Sequence, residues 1–296
     1  TYQRIGMSAL GILLIATGVG IIWFASIDIP DLSSFDQRIL GGSTKIYDKT
    51  GNVLLYDLGQ NVRRTVVPLD KISDNIKKAT IAIEDEEFYS HNGFRLKSFV
   101  RAVIVNITEG GYSQGGSTIT QQVVKNSLLK KDKTITRKLK EIILALKLEK
   151  VFTKDQILSL YLNESPYGGT IYGVEEAAET FFGKKSSDVT LTEAAYLAAL
   201  PQAPSLYLKD RAKLDLRKDL VLFKMLEHSF ITKTEYDKAI NEKVEWNKEP
   251  VGGIKAAHFV MYIKSYLEDK YGERTIQEGG LKVTTTIDYN LQAKAE

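Results

Sequence analysis

Apolar residues recur along this chain in three rhythms. The first is an unbroken run from Ile5 to Ile27, 23 residues without a charge, bounded by Arg4 and Asp28. As a helix that run is roughly 35 Å long, enough to cross a hydrocarbon core of about 30 Å. Trp23 and Phe24 near its end suit an interfacial belt. The run predicts one N-terminal transmembrane helix over 1–28. Arg4 precedes it, and Asp28, Asp31 and Asp36 follow. The positive-inside rule then leaves the N-terminus in the cytoplasm and the bulk of the chain outside, as a single-pass protein. A cleaved signal peptide would have a shorter apolar core and an Ala-x-Ala site, and no such site follows.

The second rhythm is that of strands. Pro30 and Gly41-Gly42 mark a juxtamembrane linker. Ile46 and Val53-Leu54-Leu55 then flank the turn residues Asp48 to Asn52, which reads as a hairpin ended by Pro68. The third rhythm is helical and runs from Leu69 to about Ser229. Ile72, Ile76, Ala79 and Ile83 repeat at helical spacing, as do Ile135, Leu139, Ile142 and Leu146, and Ile157, Leu160 and Tyr161. Ala194 to Ala199 is a small-residue helix stopped by Pro201, and Leu214 to Phe230 is a further amphipathic stretch. Gly279-Gly280 introduces Leu281 to Ile287, a β-branched strand. The expected fold class is mainly α, with a small β-rich segment at 29–68, a helical domain at 69–250 and a following linker at 251–296.

Composition narrows the function more than the fold. The 296 residues are 43% hydrophobic and 26% charged, ordinary for a globular chain with a real core. A net charge of +3, with no basic tract or recognition helix, gives no support to nucleic-acid binding. Zero cysteines exclude a disulfide scaffold and a thiolate metal site.

Three blocks carry candidate chemistry. The first is Glu84-Asp85-Glu86-Glu87, followed by Phe88-Tyr89-Ser90-His91-Asn92-Gly93. Four neighbouring acids oppose one another's ionisation, and late in a helix they oppose its dipole. Such a run is either a solvated face or a place where a base is kept. Gly93 fits a left-handed turn. The second block is Gly115-Gly116-Ser117-Thr118-Ile119-Thr120-Gln121-Gln122, then Lys125-Asn126. Thr118-x-x-Gln121 is a capping-box pattern. These residues either simply start a helix or use its N-terminus and Lys125 to hold an anion. Gly110 and Gly115 have Walker-like spacing, but Gly116 stands where a nucleotide loop needs Lys. In the third block Arg137, Lys138 and Glu141 share one helical face, either as a surface ion pair or as part of a site.

In this order and spacing the blocks resemble the glycosyltransferase domain of class A (bifunctional) penicillin-binding proteins, glycosyltransferase family 51. Glu84 and Glu141 stand 57 residues apart, the separation of that family's two key acids. Tyr161-Leu162-Asn163, Tyr167-Gly168-Gly169, Tyr172-Gly173-Val174 and Phe181-Phe182-Gly183-Lys184 resemble its fourth motif. Arg217-Lys218 resembles its fifth, where Arg-Arg is usual. A further departure is Arg95, where the family has Asp. The resemblance covers about residues 44–230. It implies a lysozyme-like fold and polymerisation of lipid II into peptidoglycan glycan strands. Glu84 would be the general base, supported by Asp85, with His91 structural. Gly116, Ser117, Thr118, Gln121, Gln122, Lys125 and Asn126 would hold the polyprenyl pyrophosphate and adjacent sugar. Glu141 would either aim Arg137 and Lys138 at that pyrophosphate or help hold a divalent cation, magnesium or manganese, against it.

The same resemblance implies that the partners are lipid II, the growing glycan chain on polyprenyl pyrophosphate, the membrane and other wall-building proteins. The catalytic domain would lie on the outer face of the bacterial cytoplasmic membrane. The strand at 281–287 resembles the approach to the family's transpeptidase half, which would be absent. Lys49-Thr50-Gly51, Ser73-Asp74-Asn75 and Ser127-Leu128-Leu129-Lys130 imitate transpeptidase triplets, but in reversed order, and are expected in a turn, a helix start and a helix end. Phe94, Leu96, Phe99, Val100 and Val103, interleaved with Arg95, Lys97 and Arg101, form either a core helix or an amphipathic surface against the outer leaflet. Two rival functions stand: a glycan hydrolase using paired carboxylates, and a membrane-anchored scaffold.

Overall fold

The computed structural model describes residues 43–58, 63–96, 116–129, 135–247, 255–272 and 280–295, with isolated positions 11, 18 and 276. The expected membrane span and the linker after it lie outside the described residues, as do most of the amphipathic stretch at 94–103 and Gly115. Among the described residues no helix is long and apolar enough to cross a membrane.

The body is mainly helical. Besides a single turn at Pro204–Tyr207, its described α-helices are α1 (Asp74–Glu84), α2 (Ile119–Ser127), α3 (Ile135–Val151), α4 (Lys154–Glu164), α5 (Val174–Phe182), α6 (Leu191–Ala199), α7 (Arg211–Glu227) and α8 (Lys233–Asn241). Four of them begin with one device. Thr118, Thr153, Thr190 and Thr232 each accept from the backbone three residues on, where Gln121, Gln156, Glu193 and Glu235 reach back to the threonine N–H. Each such cap stabilises its helix by about 1 kcal/mol. The box at Thr118 is the one the sequence predicts. α1 packs between α6 and α7, while α2 packs between α3 and α4. Ile76, Phe88, Ile119, Leu144, Ile157 and Tyr161 are among the side chains this packing closes off.

The stripe that predicts α3 is not the one that faces the core. Leu139 and Leu146 are exposed, whereas Glu141, Leu144, Ala145 and Leu148 are buried. The buried residues fall at i, i+3, i+4 and i+7, so an acid occupies an inward position on an otherwise apolar face.

Two small sheets flank the helices. In the first, β1 (Lys45–Tyr47) pairs antiparallel with β2 (Leu54–Asp57), the expected hairpin, and parallel with β6 (Lys282–Thr284). Both ends of the described chain therefore meet in one sheet. It packs on α9 (Ala257–Tyr271) around a separate core of Ile46, Leu55, Val260 and Leu267. In the second, β3 (Arg63–Arg64) lies parallel to β5 (Ile171–Tyr172), which pairs with β4 (Pro166–Gly168). By itself the glycine-rich stretch around residue 168 reads as helix packing with turns. It forms strands because Asn163 donates to the Val67 carbonyl and accepts from the Val67 N–H, both at 3.0 Å. That lays the preceding extended segment beside α4. Gly173 closes the corner at φ +79°, where a Cβ would meet the Asn163 carbonyl at 2.8 Å.

Buried charges fasten these strands to the helices. Lys45 and Arg63 both reach Glu176 on α5 at 2.6 Å, and Arg64 pairs with Glu164 on α4. Burial alone would lower the Lys45 pKa and raise that of Glu176. Their mutual attraction overcomes it, leaving Lys45 above and Glu176 below their ordinary values.

Candidate active site

Glu84 is the last residue of α1, and its Oε2 accepts from Gln122 Nε2 on α2 at 2.5 Å. Burial is the largest influence on this carboxyl and pushes its pKa above the ordinary range. The Gln122 bond, Arg217 and Lys125 pull the other way, while the Asp85 charge adds to the rise. An acid poised in this way is a better proton acceptor than a free carboxylate once it is ionised.

Asp85 does a different job. It is 1% exposed, and its oxygens take His91 Nε2 at 2.9 and 3.0 Å, the Ile119 N–H at 3.1 Å and Arg95 at 3.5 Å. His91 Nδ1 accepts from the Gly93 N–H at 3.0 Å, so the ring proton sits on Nε2 and points to Asp85. Ile119 is the first residue of α2. One carboxylate thus ties the end of α1, the His91 turn and the start of α2 together. Arg95 also reaches Glu86 at 3.1 Å and Glu87 at 2.8 Å, and His228 reaches Glu86 at 3.0 Å. The residue that departs from the family pattern thus offsets the last three acids of the run.

Several backbone donors at the α2 N-terminus are already engaged. The Thr118 N–H donates to Gln121, the Ile119 N–H to Asp85 and the Gln121 N–H to Thr118. Thr118 Oγ1 itself donates to the Gly93 carbonyl at 2.8 Å. Thr118 and Gln121 are buried in this lock, and the positive end of the helix already holds an anion, Asp85. Gly93 adopts φ +83°, with a Cβ position 2.9 Å from the Ala145 carbonyl. Gly93→Ala should cost about 2–3 kcal/mol and lower the melting midpoint, read by circular dichroism.

The remaining second-block residues are open. Gly116, Ser117 and Gln122 are half-buried, and Lys125 and Asn126 are exposed on the last turns of α2. Lys138 Nζ donates to Ser117 Oγ at 2.7 Å and also pairs with Glu141, joining the second and third blocks. Arg137 reaches the other Glu141 oxygen at 3.3 Å. Both glutamates are therefore linked to the segment that starts α2, Glu84 through Gln122 and Glu141 through Lys138 and Ser117. Both Glu141 oxygens already face cations. Among the described residues no group of three or more His, Cys, Asp and Glu side chains is arranged to hold a metal ion. These donors do not fit a metal held by the protein alone.

Three side chains belong to this site that the sequence did not place there. Arg217 on α7 attracts Glu84, and Tyr161 on α4 and Tyr167 on β4 both feel its charge. Burial first, then Glu84, raises both phenol pKa values far above their ordinary range. Tyr161 and Tyr167 lie in the stretch that alone reads as helix packing with glycine turns, and Arg217 in the stretch that resembles the family's fifth motif. Lys218 points elsewhere, pairing with Asp219 at 2.5 Å and lying 5.6 Å from the Tyr196 ring. The three transpeptidase-like triplets fall where expected: a hairpin turn, the N-cap of α1 at Ser73 and the end of α2.

Comparison with known proteins bears on the same stretch. Penicillin-binding protein 1A of Aquifex aeolicus (strain VF5) is 39% identical over 301 residues, covering 99% of this chain and 40% of the relative. Penicillin-binding protein 1A of Escherichia coli (strain K12) is 36% identical, covering 97% of this chain and 34% of the relative. The chain thus spans less than half the length of these relatives. A crystal structure of penicillin-binding protein 1A from Haemophilus influenzae aligns over 86% of this chain and 28% of that one, at 26% identity and a TM-score of 0.48. The sequence model of the transglycosylase family matches residues 51–226, which contain Glu84, Lys125, Lys138, Glu141 and all but the last residue of α7. The chain belongs to the transglycosylase family.

Proposed function

We propose that this chain is a peptidoglycan glycosyltransferase that polymerises lipid II into β-1,4-linked glycan strands. The observation that carries the reading is that a raised-pKa carboxylate, Glu84, and a cation, Lys138, that shares Glu141 with Arg137 are tied to one short stretch of chain, Glu84 through Gln122 and Lys138 through Ser117. The acceptor is lipid II and the donor is the growing strand on polyprenyl pyrophosphate. Glu84 removes the proton from the acceptor sugar 4-hydroxyl. The freed oxygen attacks the donor anomeric carbon from the face opposite the leaving group, so configuration inverts. The bond to pyrophosphate breaks, and the departing negative charge is met by Lys138, Arg137 and Lys125. Ser117 steadies Lys138, and Gln122 and Asn126 offer polar contacts to the sugar. Asp85, Thr118 and Gln121 act from behind by fixing the turn.

The helical body is read as the family's lysozyme-like domain, and the chain as anchored in the bacterial cytoplasmic membrane with this domain on the outer face. The hydrolase reading needs paired carboxylates free to act on both sides of a glycosidic bond. Glu141, neutralised by two cations, is poorly suited to that. Incubation with labelled lipid II should give polymer on a gel, and incubation with purified sacculi should release no soluble muropeptide. Muropeptides without polymer would support the hydrolase, and neither product would support the scaffold. Because Glu84 works ionised and its pKa is raised, the rate should fall on acidification at a pH above the ordinary carboxylate range.

A further inference from the structure

Three acids of the first block converge on one side chain. The Arg95 guanidinium meets Asp85 at 3.5 Å through Nη1, and Glu86 at 3.1 Å and Glu87 at 2.8 Å through Nη2. A planar fork of donors can serve several carboxylates at once, which a lysine ammonium on its flexible stem does less well. The Arg95 side chain is 16% exposed and that of Asp85 1%, so solvent and salt screen their contact weakly. Arg95 is a departure from the family pattern, so its role is this chain's own.

The place of these acids shows why the contact matters. Glu84 ends α1, and Asp85 is its C-cap. Acids at the C-terminus of a helix oppose its dipole, and neighbouring like charges repel. Both effects act to fray the turn that carries Glu84. The chain then turns tightly, with the Phe88 N–H donating to the Asp85 carbonyl at 2.9 Å and the Ser90 N–H to the Glu87 carbonyl at 2.8 Å. The Asp85 side chain holds the Ile119 N–H of α2, the helix whose Gln122 meets Glu84. His91 also faces Asp85 at 2.9 Å, and from α7 His228 faces Glu86 at 3.0 Å while Lys224 adds its charge. Burial alone would raise the Glu86 pKa, but the Arg95 bond and these charges hold it below its ordinary value. We infer that Arg95 is a positioning residue for Glu84: by gathering the three acids that follow, its guanidinium holds the end of α1 against the start of α2 in the geometry the base needs. Arg95 itself makes and breaks no bond in the reaction. The inference rests on reading Glu84 as the base.

Arg95→Gln removes the charge and keeps a polar side chain. With labelled lipid II, kcat should fall about tenfold at nearly unchanged KM, because the base is misplaced rather than the substrate lost. The acidic limb of the pH–rate profile should move up by about half a pH unit, since three unbalanced acids beside Glu84 make it harder to ionise. Arg95→Lys restores the charge without the fork. Its acidic limb should return to the wild-type position, with kcat recovered in part. An acidic limb that stays in place in Arg95→Gln overturns the inference, whether kcat is normal or falls together with the melting midpoint, as it would for a residue that only holds the fold. A limb displaced equally in both variants also overturns it, because charge is then not what Arg95 contributes. Glu84→Gln, run alongside, separates the two readings. If it polymerises at the wild-type rate, the base assignment itself fails. If it is inactive while Arg95→Gln behaves as wild type, only the role of Arg95 fails.

Discussion

Glu84→Gln should reduce polymer formation from lipid II by about 10²–10⁴-fold while leaving lipid II binding in place. The amide has the carboxylate's shape and can still meet Gln122, so the geometry at the end of α1 persists. What it cannot do is take a proton. The same substitution carries a stability signature of opposite sign. Glu84 has a raised pKa in the fold, so its ionised form is disfavoured there relative to the unfolded chain. That penalty is full above the raised value and vanishes below the ordinary carboxyl pKa. The variant should therefore melt higher than wild type at neutral pH, and the two should converge as pH falls through that window. An inactive enzyme that is more stable at neutral pH identifies a functional acid. An inactive enzyme that is also less stable would mean that Glu84 holds the fold, and full activity would remove it from the mechanism.

The local sequence shows some of this site and hides the rest. The capping box at Thr118, the hairpin around residue 50 and the left-handed turn at Gly93 are written in nearest-neighbour chemistry, and each forms as that chemistry directs. The pairing of β1 with β6 joins residues 45 and 282, a link no local pattern reports. A similar long-range contact appears at the start of α2. The helix start does offer N–H donors, but Asp85, more than 30 residues earlier, arrives to take one of them. Arg95 departs from the family pattern and serves as the counter-charge for two of the acids that precede it, Glu86 and Glu87. Tyr161 and Arg217 were visible as letters. Their approach to Glu84 depends on how α4 and α7 pack around α1 and α2, which is a tertiary fact.

Lys138→Met should lower kcat by about 10²–10³-fold, the usual loss when one stabiliser of developing negative charge is removed. It should also destabilise the protein, because Glu141 is 1% exposed and would keep only Arg137, at 3.3 Å, as a charged partner. Breaking a buried pair outright costs about 3–5 kcal/mol, and with one cation left about 2 kcal/mol is expected. Stability and chemistry can then be separated by the double variant Lys138→Met/Glu141→Gln. Removing both charges relieves the buried, under-compensated acid, so the melting midpoint should recover most of the loss. Activity should not recover, since no cation returns to meet the pyrophosphate. Glu141→Gln alone keeps both cations but loosens their aim, and should fall between wild type and Lys138→Met. If Glu141→Gln instead loses as much activity as Lys138→Met while melting normally, Glu141 contributes a charge of its own to the reaction. If the double variant regains activity along with stability, the cation at 138 serves only the fold, and the leaving group must be met from Lys125 and Arg137.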